Sequence, residues 1–247
     1  MTTQIETLQK LINEAKSIAF FGGAGVSTES GLPDYRSNTG TYTELEQQQL
    51  DPKKVMSKRF LMEHPEKFFN RPNTRKTPLL PKPNAAHLYL AELEKKGKDV
   101  RIITQNVDGL HQVAGSKLVI ELHGNNRHFH CMKCGREYPY NEIQRDEQNI
   151  PRCPIDNGII RADVILFGEN LKPGVLDRAK KIMASSDLLI IAGTSLTVNP
   201  SKNLIHYFEG NHVVVINKTP LDLDLTVDLT IEGAVGEIFS QLSASSI

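Results

Sequence analysis

Ser17-Ile-Ala-Phe-Phe21 runs directly into Gly22-Gly-Ala-Gly-Val-Ser-Thr-Glu-Ser-Gly-Leu-Pro-Asp-Tyr-Arg36. An apolar run that ends in glycines reads as a buried strand followed by a turn whose backbone N–H groups can approach a phosphate with no Cβ in the way. That is the pattern of a dinucleotide site in an α/β fold. It departs from the G-x-G-x-x-G fingerprint, in which a third small residue lets helix and strand pack closely. Counted from Gly23 and Gly25, that place holds Thr28. Pro33 lacks a donor and disfavours helix in the residue before it, so no long helix is expected next. An irregular segment carrying Asp34, Tyr35 and Arg36 is expected instead. A glycine-rich turn without a ligand is the competing reading of this loop taken alone.

Outward from the loop, the chain alternates helix and strand. Ile5, Leu8, Leu11, Ile12 and Ala15 recur at helical spacing and predict a helix leading into the first strand. A helix over 85–95, closed by Gly97, precedes a strand over 100–104, and another strand is expected over 117–122. Residues 187–192 and 212–216 are short, nearly continuous apolar runs, the appearance of strands buried on both faces of a parallel sheet. A crossover helix over 200–208, a last strand over 224–231 and a closing helix over 234–242 complete an α/β layout, with 243–246 as a frayed tail. Two stretches stand outside it. Residues 38–84 are rich in Gln, Lys and Pro with helical pieces at 53–63 and 65–70, and read as an inserted helical module. Residues 123–159 hold every cysteine together with Gly135, Pro151, Pro154 and Gly158, and read as a small ribbon.

A chain of 247 residues can hold one sizeable core and a small second module. Its 39% hydrophobic and 23% charged residues are those of a globular protein. With 29 acidic and 29 basic residues there is no broad electrostatic pull toward nucleic acid or anionic membrane. The start, Met1-Thr-Thr-Gln-Ile-Glu6, lacks the layout of a signal peptide, and the apolar runs are too short to span a bilayer, so a cytoplasmic location is expected.

The three cysteines carry their own chemistry. Cys131-x2-Cys134 is followed, after 18 intervening residues, by Cys153, the spacing of a four-ligand zinc ribbon, and the fourth place falls on Asp156. A carboxylate ligates Zn²⁺ at about the same bond length as an imidazole. Three cysteines with Asp156, completion by His130 or His128, and no retained zinc all remain open. A redox reading of Cys131-x-x-Cys134 is the weaker one, since thioredoxin-like pairs sit at a helix start beside a strand. Four protein ligands would leave no open position, making the zinc structural.

Thr104-Gln-Asn-Val-Asp-Gly-Leu-His111 follows a strand at its carboxyl end, where open α/β sheets bind ligands. Gln105, Asn106 and Asp108 are thus placed to face whatever the glycine loop holds, although Asp108 alone could equally cap the next helix. Ile120-Glu-Leu-His123-Gly124 delivers His123 at another strand end, as a group able to accept a proton near neutral pH or as a structural histidine. Gly193-Thr-Ser195 offers small residues and hydroxyls to phosphate or ribose, and Asn217 stands where a ribose hydroxyl could bind. Simple strand-to-helix turns are the alternative at both.

Together these segments, with Val164-Ile-Leu-Phe-Gly-Glu169 and Ile216-Asn217, resemble the sirtuins of bacterial type, NAD-dependent protein lysine deacylases. The resemblance implies a Rossmann-like NAD-binding domain made of residues 1–37, 85–124 and 160–247, a helical module at 38–84 and a zinc-ribbon module at 125–159. By resemblance, Ala24, Thr28 and Arg36 contact the cofactor near its phosphates, with Gly23, Gly25, Val107, Gly193 and Thr194 in the same cofactor set. Tyr35 covers the nicotinamide end and Gln105 the nicotinamide ribose, while Ser195, Asn217 and Val235 meet the adenosine half. Asn106 and Asp108 match the nicotinamide-pocket pair and His123 the general base on a ribose hydroxyl. Val164, Leu166, Phe167, Gly168 and Glu169 match the segment that pairs with the backbone of an acyl-lysine protein or peptide.

The implied chemistry is attack of the acyl-lysine carbonyl oxygen on the ribose carbon as nicotinamide leaves, in a dry site that aligns the two. Nicotinamide, free lysine and O-acyl-ADP-ribose are the implied products. Departures from the family pattern are Asp156 in place of a fourth cysteine and Ala162 after Arg161 where proline is usual. Members preferring acidic acyl groups carry Tyr-x-x-Arg; the counterpart here is Pro72-x-x-Arg75, so succinyl-type preference is unsupported and the acyl chain stays open, with acetyl expected. Rival readings are mono-ADP-ribosyl transfer, a non-catalytic NAD and acyl-peptide binder, and a dehydrogenase. Nothing in the pattern demands more than a monomer.

Overall fold

Alternation of buried residues to both sides of each strand organises the molecule. The structure is a computed structural model that describes residues 2–71 and 80–244. Its helices are α1 (Thr2–Glu14), α2 (Thr41–Gln47), α3 (Pro52–Val55), α4 (Lys58–Glu63), α5 (Pro65–Phe69), α6 (Ala85–Lys95), α7 (Leu110–Ala114), α8 (Val175–Ala184) and α9 (Val235–Ser240). Its strands are β1 (Ser17–Gly22), β2 (Asp99–Thr104), β3 (Val119–Glu121), β4 (Gly124–Cys131), β5 (Glu137–Tyr138), β6 (Ile160–Val164), β7 (Leu188–Ala192), β8 (His212–Asn217) and β9 (Leu229–Glu232).

Six strands form a parallel sheet in the order β3-β2-β1-β7-β8-β9. Ile18 and Phe20 of β1 enter one apolar layer with Leu8, Ile12, Leu90, Leu93 and Phe239, so α1, α6 and α9 cover that face. Ala19 and Phe21 enter the other with Val175, Ala179, Met183, Leu204 and Ile205, from α8 and the 3₁₀ segment Ser201–Tyr207. Burial on both faces is why the strand sequences run apolar without alternation. The chain winds outward from β1 through β2 to β3, then returns to β7 on the other flank of β1. This reversal leaves a crevice outside the carboxyl ends of β1 and β7, where such sheets bind ligands.

A smaller antiparallel sheet, β5-β4-β6, carries the cysteines. Helices α2 to α5 occupy the stretch expected to be helical, with Leu45, Val55 and Leu61 buried. The helical segment and the ribbon are tied together: Asn70 Nδ2 donates to the Gln148 carbonyl at 2.9 Å, and Asn149 Nδ2 donates back to Asn70 Oδ1 at 2.8 Å. Pro72 and Arg75 lie outside the described residues. Among the described residues no helix is long and apolar enough to cross a membrane.

Several expected elements are shorter or different. The strand expected over 117–122 is only Val119–Glu121. The one expected over 224–231 pairs from Leu229 onward, because Leu223, Leu225 and Val227 satisfy their alternation by packing on the second apolar layer without a ladder. The crossover over 200–208 is 3₁₀, not α. Helix α8 is not among the expected elements; Val175, Ala179 and Met183 face the core at four-residue spacing, a signal diluted by Asp177, Arg178, Lys180 and Lys181.

Candidate active site

After β1 the chain makes two short 3₁₀ turns, Ala24–Val26 and Thr28–Ser30, in place of a long crossover helix, as Pro33 predicts. The glycines here serve a purpose the sequence reading did not assign. The Gly25 N–H donates to the Gly193 carbonyl at 2.8 Å and the Gly23 N–H to the Ala192 carbonyl at 3.1 Å. A Cβ on Gly25 would lie 2.7 Å from Gly193 Cα, and one on Gly193 only 2.4 Å from the Val26 nitrogen. Gly193 also has φ +56°, a left-handed conformation that glycine adopts without penalty. Thus the loops after β1 and β7 interlock backbone against backbone, and these N–H groups are spent on each other.

The polar residues after β2 converge on that joint. Asn106 is buried, and its Nδ2 donates to Ser27 Oγ at 3.0 Å; Ser27 Oγ in turn donates to Asp108 Oδ2 at 2.8 Å. Asp108 Oδ1 accepts from the Leu110 N–H at 2.9 Å, so the carboxylate, one residue ahead of the Gly109 N-cap, both holds the first N–H of α7 and anchors the network. The capping alternative and the site reading are therefore compatible. Gln105 Nε2 donates to Thr194 Oγ1 at 3.0 Å, joining the β2 and β7 loops.

His123 stands between β3 and β4 with Nδ1 at 3.0 Å from the Gln105 carbonyl oxygen. A carbonyl only accepts, so Nδ1 carries the proton and Nε2 is left as the basic nitrogen. Burial lowers the His123 pKa, partly opposed by this hydrogen bond, and keeps the ring neutral at pH 7.

These groups surround a cavity of about 810 Å³, within the range of about 300–1,000 Å³ usual for small-molecule sites. Every cofactor and substrate residue named from the sequence lines it, as do Asn106 and His123; Asp108 stands behind the wall, reached through Ser27. Tyr42, Met56, Ile165, Val198, Asn199 and Lys218 also line it and were not singled out. Arg36 Nη1 donates to Ser195 Oγ at 3.2 Å, and Thr28 Oγ1 donates to the Gly25 carbonyl at 3.1 Å. Val235 opens α9, whose Gly236 N–H donates to Glu29 Oε2 at 2.5 Å. Asn217 Nδ2 donates to the Thr219 carbonyl at 2.8 Å, leaving its side-chain oxygen for a ligand.

The segment after β6 forms the other wall. The Ile165 N–H donates to the His123 carbonyl at 2.8 Å, so this wall is built onto the turn that carries His123. Phe167 pairs with the helical segment through both backbone groups: its N–H donates to the Met56 carbonyl at 3.2 Å, and its carbonyl accepts from Lys58 at 3.0 Å. The Glu169 carboxylate accepts from Arg161 Nη2 at 2.8 Å and from the Leu166 N–H at 3.0 Å, with Lys58 Nζ at 3.6 Å. It thus orders the wall from within. Ala162 sits on β6, an edge strand of the small sheet, where proline and alanine are both accommodated.

Cys131, Cys134, Cys153 and Asp156 bring one ligand atom each to within 4.8 Å of one another. Cys134 Sγ and Cys153 Sγ are 3.9 Å apart, and Asp156 Oδ1 is 3.4 Å from Cys131 Sγ. Tetrahedral zinc with bonds of about 2.3 Å to sulfur requires edges of roughly 3.7 Å, so the set fits. The N–H groups of Lys133 and Cys134 point at Cys131 Sγ at 3.3 and 3.5 Å, the environment of a thiolate. Neither His128 nor His130 belongs to the cluster; His130 Nδ1 is 4.0 Å from Asp163 instead.

A family model described as the Sir2 family matches residues 23–200. The chain is 42% identical to an NAD-dependent protein deacetylase of Clostridium acetobutylicum over 95% of this chain and 96% of that one. It is 43% identical to an NAD-dependent protein deacetylase of Clostridium tetani over 94% of each. Among solved structures, a Sir2 histidine-to-alanine variant with deacetylated p53 peptide and 3'-O-acetyl ADP ribose matches with a TM-score of 0.85 at 34% identity, covering 96% of both chains. Sir2 with p53 peptide and NAD+ matches with a TM-score of 0.83 at 35% identity, again over 96% of both chains. The chain belongs to the Sir2 family.

Proposed function

We propose that this chain is an NAD-dependent protein lysine deacetylase, acting on acetyl-lysine in proteins or peptides. The observation that carries the reading is one cavity, at the reversal point of the sheet, walled by a neutral His123 and a buried Asn106 on one side and by the backbone of residues 164–168 on the other. The name and the bound ligands of the relatives above agree with it. Bound NAD supplies the activated C–N bond whose cleavage releases nicotinamide, and the ribose that receives the acyl group.

The chain's own residues do the rest. Asn106, held by Ser27 against Asp108, presents its amide to the nicotinamide carboxamide. Gln105 holds the nicotinamide ribose, Tyr35 covers the nicotinamide end, and Arg36 with Ala24 and Thr28 takes the phosphates. Ser195, Asn217 and Val235 receive the adenosine half. His123 Nε2 accepts the proton of a ribose hydroxyl, a role worth about 10²- to 10⁴-fold. The segment from Val164 to Gly168 aligns the acyl-lysine segment through main-chain hydrogen bonds. Cys131, Cys134, Cys153 and Asp156 hold a zinc ion with no position left for a substrate, so its part is structural. On the same reading the protein works in the cytoplasm as a monomer, and the two inserts at 38–84 and 125–159 are modules set on a discontinuous NAD-binding domain.

Incubation with NAD and an acetyl-lysine peptide, with products identified by mass, tests the reading. One nicotinamide and one O-acetyl-ADP-ribose per lysine freed are expected. An ADP-ribose adduct on protein, formation of NADH, or binding without turnover would each replace it with another activity.

A further inference from the structure

Residues 34–42 close on themselves where the helical segment begins. The Thr41 N–H donates to the Asp34 carbonyl and the Tyr42 N–H to the Tyr35 carbonyl, both at 2.8 Å, and the Gly40 N–H donates to the Ser37 carbonyl at 2.7 Å. The Asp34 carboxylate accepts from the Ser37 N–H at 3.0 Å, and Thr43 Oγ1 donates to the Ser37 carbonyl at 2.8 Å. A Cβ on Gly40 would stand 2.5 Å from the Arg36 nitrogen, so the strands of this compact loop cross in direct contact. The loop carries two of the residues proposed to meet NAD, Tyr35 and Arg36. What fixes their side chains is a third residue, Tyr42, in the first turn of α2.

The Tyr42 ring lies 5.2 Å from the Tyr35 ring, tilted at 53°, and the Arg36 guanidinium carbon sits 5.1 Å above the Tyr42 centroid. Arg36 is thereby held between the Tyr42 face and the Ser195 hydroxyl across the cavity. A flexible guanidinium loses several rotors when it binds a phosphate, and an aromatic face that already orients it removes part of that cost. From this geometry we propose that Tyr42 is a positioning residue for the dinucleotide: its ring, not its hydroxyl, presets Arg36 toward the phosphates and Tyr35 over the nicotinamide end. The inference rests on the proposed deacetylase reading. It makes the helical segment a contributor to cofactor affinity as well as to the peptide wall.

Steady-state nicotinamide release with an acetyl-lysine peptide tests it, with wild type measured first. If wild type releases no nicotinamide, the deacetylase reading itself fails. With wild type active, Tyr42→Leu is expected to raise KM for NAD about 5- to 20-fold, the size of a partly desolvated cation–aromatic contact. KM for the peptide stays within about 2-fold, as a residue acting on the dinucleotide alone requires, and the melting midpoint without NAD falls by no more than about 2 °C, the size of losing one partly exposed ring contact in a chain of this length. Tyr42→Phe restores KM for NAD to near the wild-type value. In an Arg36→Gln background Tyr42→Leu adds less than it costs alone, because only its contact with Tyr35 is left to lose. The proposal is overturned by an unchanged KM for NAD, by Tyr42→Phe behaving like Tyr42→Leu, or by additive effects. If Tyr42→Leu does not fold, Tyr42→Met takes its place, and failure of both assigns Tyr42 to stability and overturns it as well.

Discussion

His123 combines a fixed tautomer with a lowered pKa, and both properties come from where β3 hands over to β4 beside the Gln105 carbonyl. His123→Ala is expected to abolish deacetylation while NAD still binds, measured by product mass and by calorimetry; retained turnover would take His123 out of its role. Because the base works neutral and burial holds its pKa below the ordinary value of about 6.5, kcat/KM should stay level as pH falls through that value and decline only beneath it. An acid limb centred above it would contradict the assignment. Gly25→Ala tests the interlocked loops: overpacking of this kind costs about 1–3 kcal/mol, and the denaturant midpoint should fall with NAD affinity. Most site residues were legible because each follows a strand at its carboxyl end. Ser27 and Tyr42 were not, since their contacts lie with Asp108, Asn106 and Arg36, far from them in chain order or turned across a loop.

Helices α6 and α7 meet through a pair of buried histidines whose rings are 4.6 Å apart. Asn84 caps α6, accepting from the Ala86 N–H at 3.1 Å, while its own Nδ2 donates to the Val26 carbonyl at 2.7 Å and ties the helix to the glycine loop. Burial pushes His87 down to about 4, with Asp108 opposing, and pushes His111 well down, with His87 adding to the effect. In the unfolded chain both return to about 6.5. Between that value and the folded ones the unfolded state binds more protons, so stability present above about pH 6.5 is lost as pH falls. Denaturant midpoints at pH 7.5 and pH 5 should show the lower value at pH 5; the reverse order would refute the neutral pair. The strands were legible wherever both faces are buried. The stretch ahead of β9 was not, because alternation at Leu223, Leu225 and Val227 reports burial, and burial there comes without a partner strand.

At the scale of the molecule, the parallel sheet and the cysteine-bearing sheet depend on different forces. The first has two continuous apolar layers; the second has one small apolar cluster built on Cys131, Cys153 and Ile160 and leans on the Cys131, Cys134, Cys153 and Asp156 group proposed to hold zinc. Chelation, or Asp156→Ala, should therefore lower zinc content and raise hydrogen exchange over 124–164 while β1, β7 and β8 keep their protection. Uniform loss across both sheets would show that the metal supports the whole fold. Exchange over 58–70 should rise too, because Asn70 is bonded to residues 148 and 149. That tie was invisible in the sequence, where the two inserts read as independent.

Phe167 has a consequence for traffic at the cleft. Both of its main-chain groups are committed to Met56 and Lys58. On the proposed reading a visiting polypeptide finds Phe167 taken, and Leu166 as well, its N–H held by Glu169 Oε2 and its carbonyl by the Glu169 N–H, so it must pair with the groups these residues leave open. On that reading the committed main chain of this wall limits where a peptide can pair before any side chain is read.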